Sequence, residues 1–426
     1  MVCVAWLISI AVHAPLLASC GSDAGADEIQ LLVFGAPEEL RAYRELIDAF
    51  ERAQGDVQIQ LIEASDRVDL IARLATSFSG GDPPDLFIIN YRFYGQFASK
   101  GVIEPMQPLL DASDAFGADD FYQVALDAFR DDSGQLVCMP QNASSLVVYY
   151  NRDLFLANGV AEPTAGWTWD DMVDRARQLT ADTDGDGVID RHGLGVEASL
   201  IRVAPFVWSN GGEIVDDNDH PTRLTMDSPA AIDALSAFLA LRTEHAVVPG
   251  EEDVESEDDE SRFSNGRLAM VMSSRRSTTT FREAAKFDWD VVPLPVFGSS
   301  TGILHSDAYC MAESSDHQDA AWRFVEFAVG VQGAPIISES GRTVPSLIAV
   351  AESPAFLDAR AKPAHSQVFL DTIPTIRLLP FVSTWPEIED VTAGILETAL
   401  YAGTDAVTVV QEMDRATRDI FARAER

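Results

Sequence analysis

Lysine is almost missing from this 426-residue chain: Lys100, Lys286 and Lys362 are the only three among 30 basic residues, against 68 acidic ones. The resulting formal charge of −38 excludes a nucleic-acid partner, because phosphates would be repelled. Cysteine is scarce too. Of four, Cys3 and Cys20 sit in the N-terminal segment, leaving Cys138 and Cys310 without CxxC spacing or a histidine cluster. That excludes a zinc site and leaves two options, one disulfide or two separate buried thiols. Beyond residue 20 no apolar run reaches the ~18 residues of a membrane span. Catalytic signatures are scarce as well: there is no HExxH and no Cys–His pairing of note. Paired carboxylates need no signature, so motifs alone leave a secreted glycosidase open.

Apolar residues make up 47% of the chain, which is globular, and its length exceeds the ~250–300 residues of a single core. At least two domains are therefore expected. Residues 1–19 are almost wholly apolar and end on Leu17-Ala18-Ser19-Cys20, which reads as a secretory signal. Leu-Ala-Ser-Cys resembles a bacterial lipobox, which implies lipidation at Cys20 and a tether over 20–27. No Lys or Arg precedes the apolar run, which a mis-assigned start codon would explain.

Residues 29–34 read as a strand, Leu40, Tyr43, Ile47 and Phe50 recur at helical spacing, and Val57, Ile59 and Leu61 alternate. Leu70, Ile71, Leu74 and Phe78 return to the helical period before the apolar run 86–89. This alternation predicts a layered α/β sheet, with ligands at the carboxyl ends of its strands, here Asn90 to Tyr94. Thr168 and Asp171 form a capping box, and Ser228-Pro229 opens another helix. Residues 319–328 and 388–423 also read as helical. The run EEDVESEDDE at 251–260 reads as a solvated loop.

Several segments, in this order, carry a family resemblance. AFERAQGDVQIQ resembles a helix-to-strand step, and GGDPPDLFIIN with FASKGVIEPMQPLLD resembles "G.APDVF…A..G.L.PLD". LVVYYNRDLFLANGVAEPTAGWTWD resembles "YYNKDLF…G…P…TW". SNGGEIVDDND, RFSNGRLAMVMSS, VVPLPVFG, DAAWRFVEFAV and GRTVPS resemble "NGG.…D", "F.NGKAAM", "PLPG", "EAAWKFLKFL" and "G.LPS". Together they are similar to the extracellular sugar-binding proteins that feed ABC importers, solute-binding family 1.

The resemblance implies an α/β clamp of two discontinuous lobes joined by three hinge crossings. These fall near Met139-Pro140, Leu304-His305 and Leu379-Pro380, giving lobe one 28–139 and 305–379 and lobe two 140–304 and 380–426. It also implies a carbohydrate ligand between the lobes, a permease with its ATPase as partner, no enzymatic activity and no required cofactor. The protein would be a monomer outside the cytoplasm, touching the membrane only through lipid.

A sugar presents hydroxyls and C–H faces, so its site needs amides, hydroxyls, carboxylates and aromatic plates. Candidates are Asn90, Tyr91, Arg92 and Tyr94 after a strand, and Gln141, Asn142 and Ser144 after the first crossing. Phe206, Trp208 and Asn210 precede Gly211-Gly212, Ser274 and Arg275 end a strand, His305 and Asp307 lie at the second crossing, and Trp385 follows the third. Trp208 and Trp385 are expected as stacking plates. If Arg92 and Arg275 both enter the cleft, a uronate or sugar phosphate is favoured; a polyamine would need more carboxylates than Asp307. Finally, Asp182, Asp184, Asp186, Val188 (through its carbonyl) and Asp190 follow an EF-hand spacing, but Gly193 stands at position twelve. A structural Ca²⁺ and a bare acidic turn both fit.

Overall fold

The computed structural model describes residues 27–424, so the signal segment, Cys20 and most of the tether lie outside the described residues. Twelve strands are described: β1 (Asp27–Phe34), β2 (Val57–Ala64), β3 (Leu86–Asn90), β4 (Ile103–Glu104), β5 (Met139–Pro140), β6 (Val147–Asn151), β7 (His192–Gly195), β8 (Leu268–Ser273), β9 (Trp289–Pro293), β10 (Gly302–Ile303), β11 (Asp307–Ala312) and β12 (Ile376–Arg377). The first sheet has the order β2-β1-β3-β11-β4, with β5 on β11. Its first three strands are parallel, connected by helices Pro37–Ala53 and Arg67–Gly80, and β11 enters antiparallel beside β3. The helical period read from the sequence lands where it should: Leu40, Tyr43, Ile47 and Phe50 are buried against this sheet.

The second sheet runs β7-β8-β6-β9. Side chains alternate across a strand, and β6 uses both faces. Val148 and Tyr150 join the core shared with helices Trp169–Leu179, Leu200–Ser209 and Pro229–Thr243, whereas Val147 and Tyr149 join a separate core. That separate core is completed by Val344, Phe356, Phe369 and Ile373. Of residues 305–379, then, β11 lies in the first sheet, Leu347 and Val350 join the larger core, and Val344, Phe356, Phe369 and Ile373 share a core with Val147 and Tyr149 of the second sheet. The C-terminal segment forms two helices, Trp385–Ala402 and Ala406–Ala422, broken at Gly403, whose φ of 73° suits glycine.

The acidic run at 251–260 is not a loop. It lies in helices Glu251–Ser256 and Asp259–Ser264. The reason is local: acids in the first turns meet the positive end of each helix dipole, and the Asp253 carboxylate accepts from the Gly250 N–H at 3.1 Å. The buried Arg262 then ties the two together, donating to the Asp253 carbonyl at 2.7 Å.

The two remaining cysteines are joined: a Cys138–Cys310 disulfide links the chain at the start of β5 to β11 across 172 residues. Cross-linking so long a loop restricts the unfolded chain, and losing such a bond costs roughly 2–5 kcal/mol. Replacing both cysteines by Ser should lower the denaturation midpoint accordingly. An unchanged midpoint would show the bond to be dispensable.

Candidate functional site

The two sheets meet around a short hinge, and a cavity of about 320 Å³ opens beside it. Three stretches of chain build the hinge wall. After β5, the backbone of Asn142 bridges Pro345 and that of Ser144 bridges His305. Asn142 then uses both ends of its amide: Nδ2 donates to the His305 carbonyl at 3.0 Å, and Oδ1 accepts from the Asp307 N–H at 2.9 Å. Across the first sheet, Asn90 at the end of β3 donates to the Asp307 carboxylate at 3.0 Å. Strand ends and hinge strands thus deliver Asn90, Asn142, Ser144, His305 and Asp307 to one wall.

Arginines supply much of the remainder. Six of them (Arg67, Arg92, Arg202, Arg275, Arg276 and Arg342) line the cavity with five acids, Glu197, Glu260, Asp307, Glu389 and Asp390. Acids outnumber bases more than twofold over the whole chain, so this cavity reverses the local balance. The arginines have different partners. Arg92 donates to Glu389 at 2.6 Å, and Arg276 to Glu39 at 2.7 Å. Arg342, 2% exposed, lies 3.5 Å from Glu39 and 3.8 Å from Asp307 and above the Tyr43 ring. Burial opposes its charge, but the Tyr43, Glu39 and Asp307 oxygens outweigh that and keep it protonated.

Arg275 is buried with no carboxylate partner among the described residues. Its guanidinium donates to the Gly341 carbonyl at 3.0 Å and to Ser366 at 3.2 Å, over the rings of Phe356 and Phe369. Burial pulls its pKa down to about 9. The His305 pKa is driven well below the usual imidazole range, first by burial and then by Arg202, Arg92 and Arg67. It is therefore a neutral ring at neutral pH.

Of the residues singled out from the sequence, Asn90, Arg92, Asn142, Ser144, Ser274, Arg275, His305 and Asp307 line the cavity. The others do not. The Tyr94 hydroxyl donates to the Arg130 carbonyl and its ring stacks on Phe381, while Tyr91 packs in the core. Gln141 is consumed between Tyr43 and Tyr309, donating to the latter at 2.8 Å. Asn210 donates to the Ala230 carbonyl in the first turn of the helix Pro229–Thr243. Trp208 and Trp385, expected as plates, are core side chains instead, as is Phe206. Arg377 covers the indole of Trp208, and Trp385 is fully buried, donating to Glu389 at 2.9 Å. Phe34 is the aromatic side chain that does line the cavity.

Sequence reasoning missed Arg67, Glu197, Ser199, Arg202, Glu260, Arg276, Arg342, Glu389 and Asp390. A usable signal existed for two of them. Arg67 and Arg202 stand in the first turns of helices, after a strand and after Gly195, where cleft residues gather.

At the acidic loop, carboxylate oxygens of Asp182, Asp184 and Asp190 lie within 4.8 Å of one another. Asp186 is outside that carboxylate cluster, its side chain accepting from the Val188 N–H at 2.8 Å. Gly193 supplies no side-chain oxygen.

Comparison with known proteins fits this architecture. A chain from Brucella abortus named only as a binding protein is 24% identical over 415 residues, covering 95% of this chain and 94% of that one. The solved ABC substrate-binding protein Lmo0181 from Listeria monocytogenes, in complex with cycloalternan, is 26% identical with a TM-score of 0.84. That match covers 93% of this chain and 99% of the other. UgpB from Mycobacterium tuberculosis, in complex with glycerophosphocholine, shares the fold at TM-score 0.79 and 20% identity, covering 94% and 99%. The family model for bacterial extracellular solute-binding proteins matches residues 36–335, and the chain belongs to that two-lobed family.

Proposed function

We propose that this protein is the extracytoplasmic substrate-binding component of an ABC importer, capturing a carbohydrate between its lobes and presenting it to the membrane permease. The observation carrying this reading is the cavity beside the hinge, walled by amides, hydroxyls and planar charged groups from both sheets. Such groups match the hydroxyl rim of a sugar. The cavity adjoins a second space of about 530 Å³, sharing Glu197, Arg202, Glu260, Ser273 and Arg276 with it. The cleft therefore has room for more than one ring. The cycloalternan complex of the Listeria relative supports the same ligand class. A ligand touching both lobes only when they are shut shifts an open–closed equilibrium by its differential affinity, so occupancy becomes a shape the permease can read.

Thermal-shift screening against neutral and charged mono- and oligosaccharides, with the sugar recovered afterwards, tests this function. At least one saccharide should raise the melting temperature and come back unchanged. A cleaved saccharide would make the protein a hydrolase.

Two features complete the reading. Lipid at Cys20 would hold the protein at the outer face of the membrane, two or more acyl chains anchoring stably where one is marginal. Among the described residues no helix is long and apolar enough to cross a membrane. Cys20→Ala should move the protein from the membrane to the soluble fraction; persistence in the membrane fraction would refute lipidation. A structural Ca²⁺ on Asp182, Asp184 and Asp190 would offset the repulsion of three converging carboxylates. A cation at 100 times its Kd adds about 2.7 kcal/mol. Chelator should lower the melting temperature and Ca²⁺ restore it, and indifference to both would mean a bare turn.

A further inference from the structure

We propose that the start of the helix Leu200–Ser209 is an anion subsite, so that the captured carbohydrate carries a phosphate or carboxylate group. The proposal rests on the carbohydrate-capture reading and narrows it. Ser199, Leu200, Ile201 and Arg202 all line the cavity, which places the positive end of a ten-residue helix against the ligand space. That end is uncapped. The Ser199 side chain makes no bond to the first-turn N–H groups, and its hydroxyl, on a residue only 7% exposed, makes no close hydrogen bond among the described residues, Glu197 being the acceptor beside it.

Arg202 adds two more unused donors. Its Nη2 lies 3.3 Å from Glu197, but Nε and Nη1 are buried and unpartnered. From the other lobe, Arg67 stacks on Phe93 at 4.6 Å and has no ion pair among the described residues. The His305 Nε2 is likewise buried without a partner.

Charge supports the same end. Over the whole cavity six arginines meet five acids, an excess of one positive charge, and Arg67, Arg92 and Arg202 are three of the six. Arg92 and Glu389 neutralise each other at 2.6 Å, and Glu197 offsets one of the other two. The chemistry separates an oxyanion from a hydroxyl. A hydroxyl placed here could accept one or two bonds but must also donate its own proton, whereas the unpaired Arg202 N–H groups can only donate. An oxyanion accepts several bonds and donates none. Acceptors for the sugar's hydroxyls lie elsewhere in the cavity, at Asp307 and Glu260. Because Arg202 and Arg67 come from opposite lobes, an anion held between them would couple recognition to closure.

The test is calorimetry on the full mature chain with matched pairs, a hexose against its phosphate and against its uronate, together with inorganic phosphate. The anionic member should bind at least tenfold tighter, with an advantage that shrinks as salt rises. Arg202→Gln should weaken the anionic member by roughly 10- to 100-fold, the range of a charge-assisted hydrogen bond, and at least ten times more than it weakens the neutral one. Ser199→Ala should shift the same preference in the same direction, and melting of both variants checks that they fold. Equal affinity for neutral and anionic members, or equal losses for both in Arg202→Gln, would overturn the subsite while leaving carbohydrate capture intact. Binding of phosphate that Arg202→Gln abolishes, with no saccharide bound, would keep the subsite and overturn the carbohydrate reading. No binding of any probe would overturn both.

Discussion

Trp385→Ala should destabilise the protein by about 3–5 kcal/mol, the cost of truncating a large buried aromatic, before any effect on ligand is measurable. The indole is 0% exposed at the start of the helix Trp385–Ala402, edge-on to Phe421 at 6.4 Å. Its N–H holds one oxygen of Glu389, whose other oxygen receives Arg92 in the cavity. The loss is thus double: a void in the core, and a cavity carboxylate released from its support. Chemical denaturation of the variant should show the drop in stability. Trp385→Phe should recover much of the packing but not the hold on Glu389. A Trp385→Ala protein that melts like the parent but binds no ligand would instead return this residue to a stacking role.

Removing the Glu39 carboxylate should cost a comparable amount. Glu39 is 1% exposed and accepts from the Ala36 N–H at 2.8 Å and from Arg276 at 2.7 Å, with Arg342 at 3.5 Å. Glu39→Gln would leave the buried guanidinium of Arg342 with the neutral Gln141 oxygen at 3.4 Å and, as its one carboxylate among the described residues, the more distant Asp307. Breaking one partner of a buried pair typically costs 3–5 kcal/mol. The pH dependence follows from the same geometry. Burial raises the Glu39 pKa, but Arg342 and Arg276 outweigh it and leave the net value below the ordinary 4.5. A carboxylate with a depressed folded pKa contributes stability that is present above its unfolded pKa and is lost as pH falls toward the folded one. Acid should therefore destabilise the parent below about pH 4.5 more steeply than Glu39→Gln. Parallel acid profiles for the two proteins would show that Glu39 carries no such linkage.

Where one element's own periodicity decides its place, the sequence was readable. Leu40, Tyr43, Ile47 and Phe50 face the first sheet because a 3.6-residue repeat leaves them no other common face. Residues following strand ends, such as Asn90 and Asp307, were legible as cavity residues for a similar reason. The acidic run was misread because composition marks solvent exposure, and an exposed segment can still be a helix when its acids sit in the first turn. The tryptophans were misread because position in the chain does not tell which side of a helix meets the core. The arginine cluster was illegible for a deeper reason. Arg67, Arg202, Arg276 and Arg342 come from four separate stretches, and only the facing of the two sheets brings them together. The disulfide was undecidable for the same cause, since Cys138 and Cys310 meet through the antiparallel pairing of β5 with β11.

Closure around a ligand is the claim on which the functional reading depends, and small-angle X-ray scattering of the purified protein tests it most directly. With the best saccharide from the screen at saturation, the radius of gyration should fall relative to the free protein, and it should stay at the free value with a saccharide that does not bind. Saturable binding with an unchanged radius would contradict capture by closure of the two lobes.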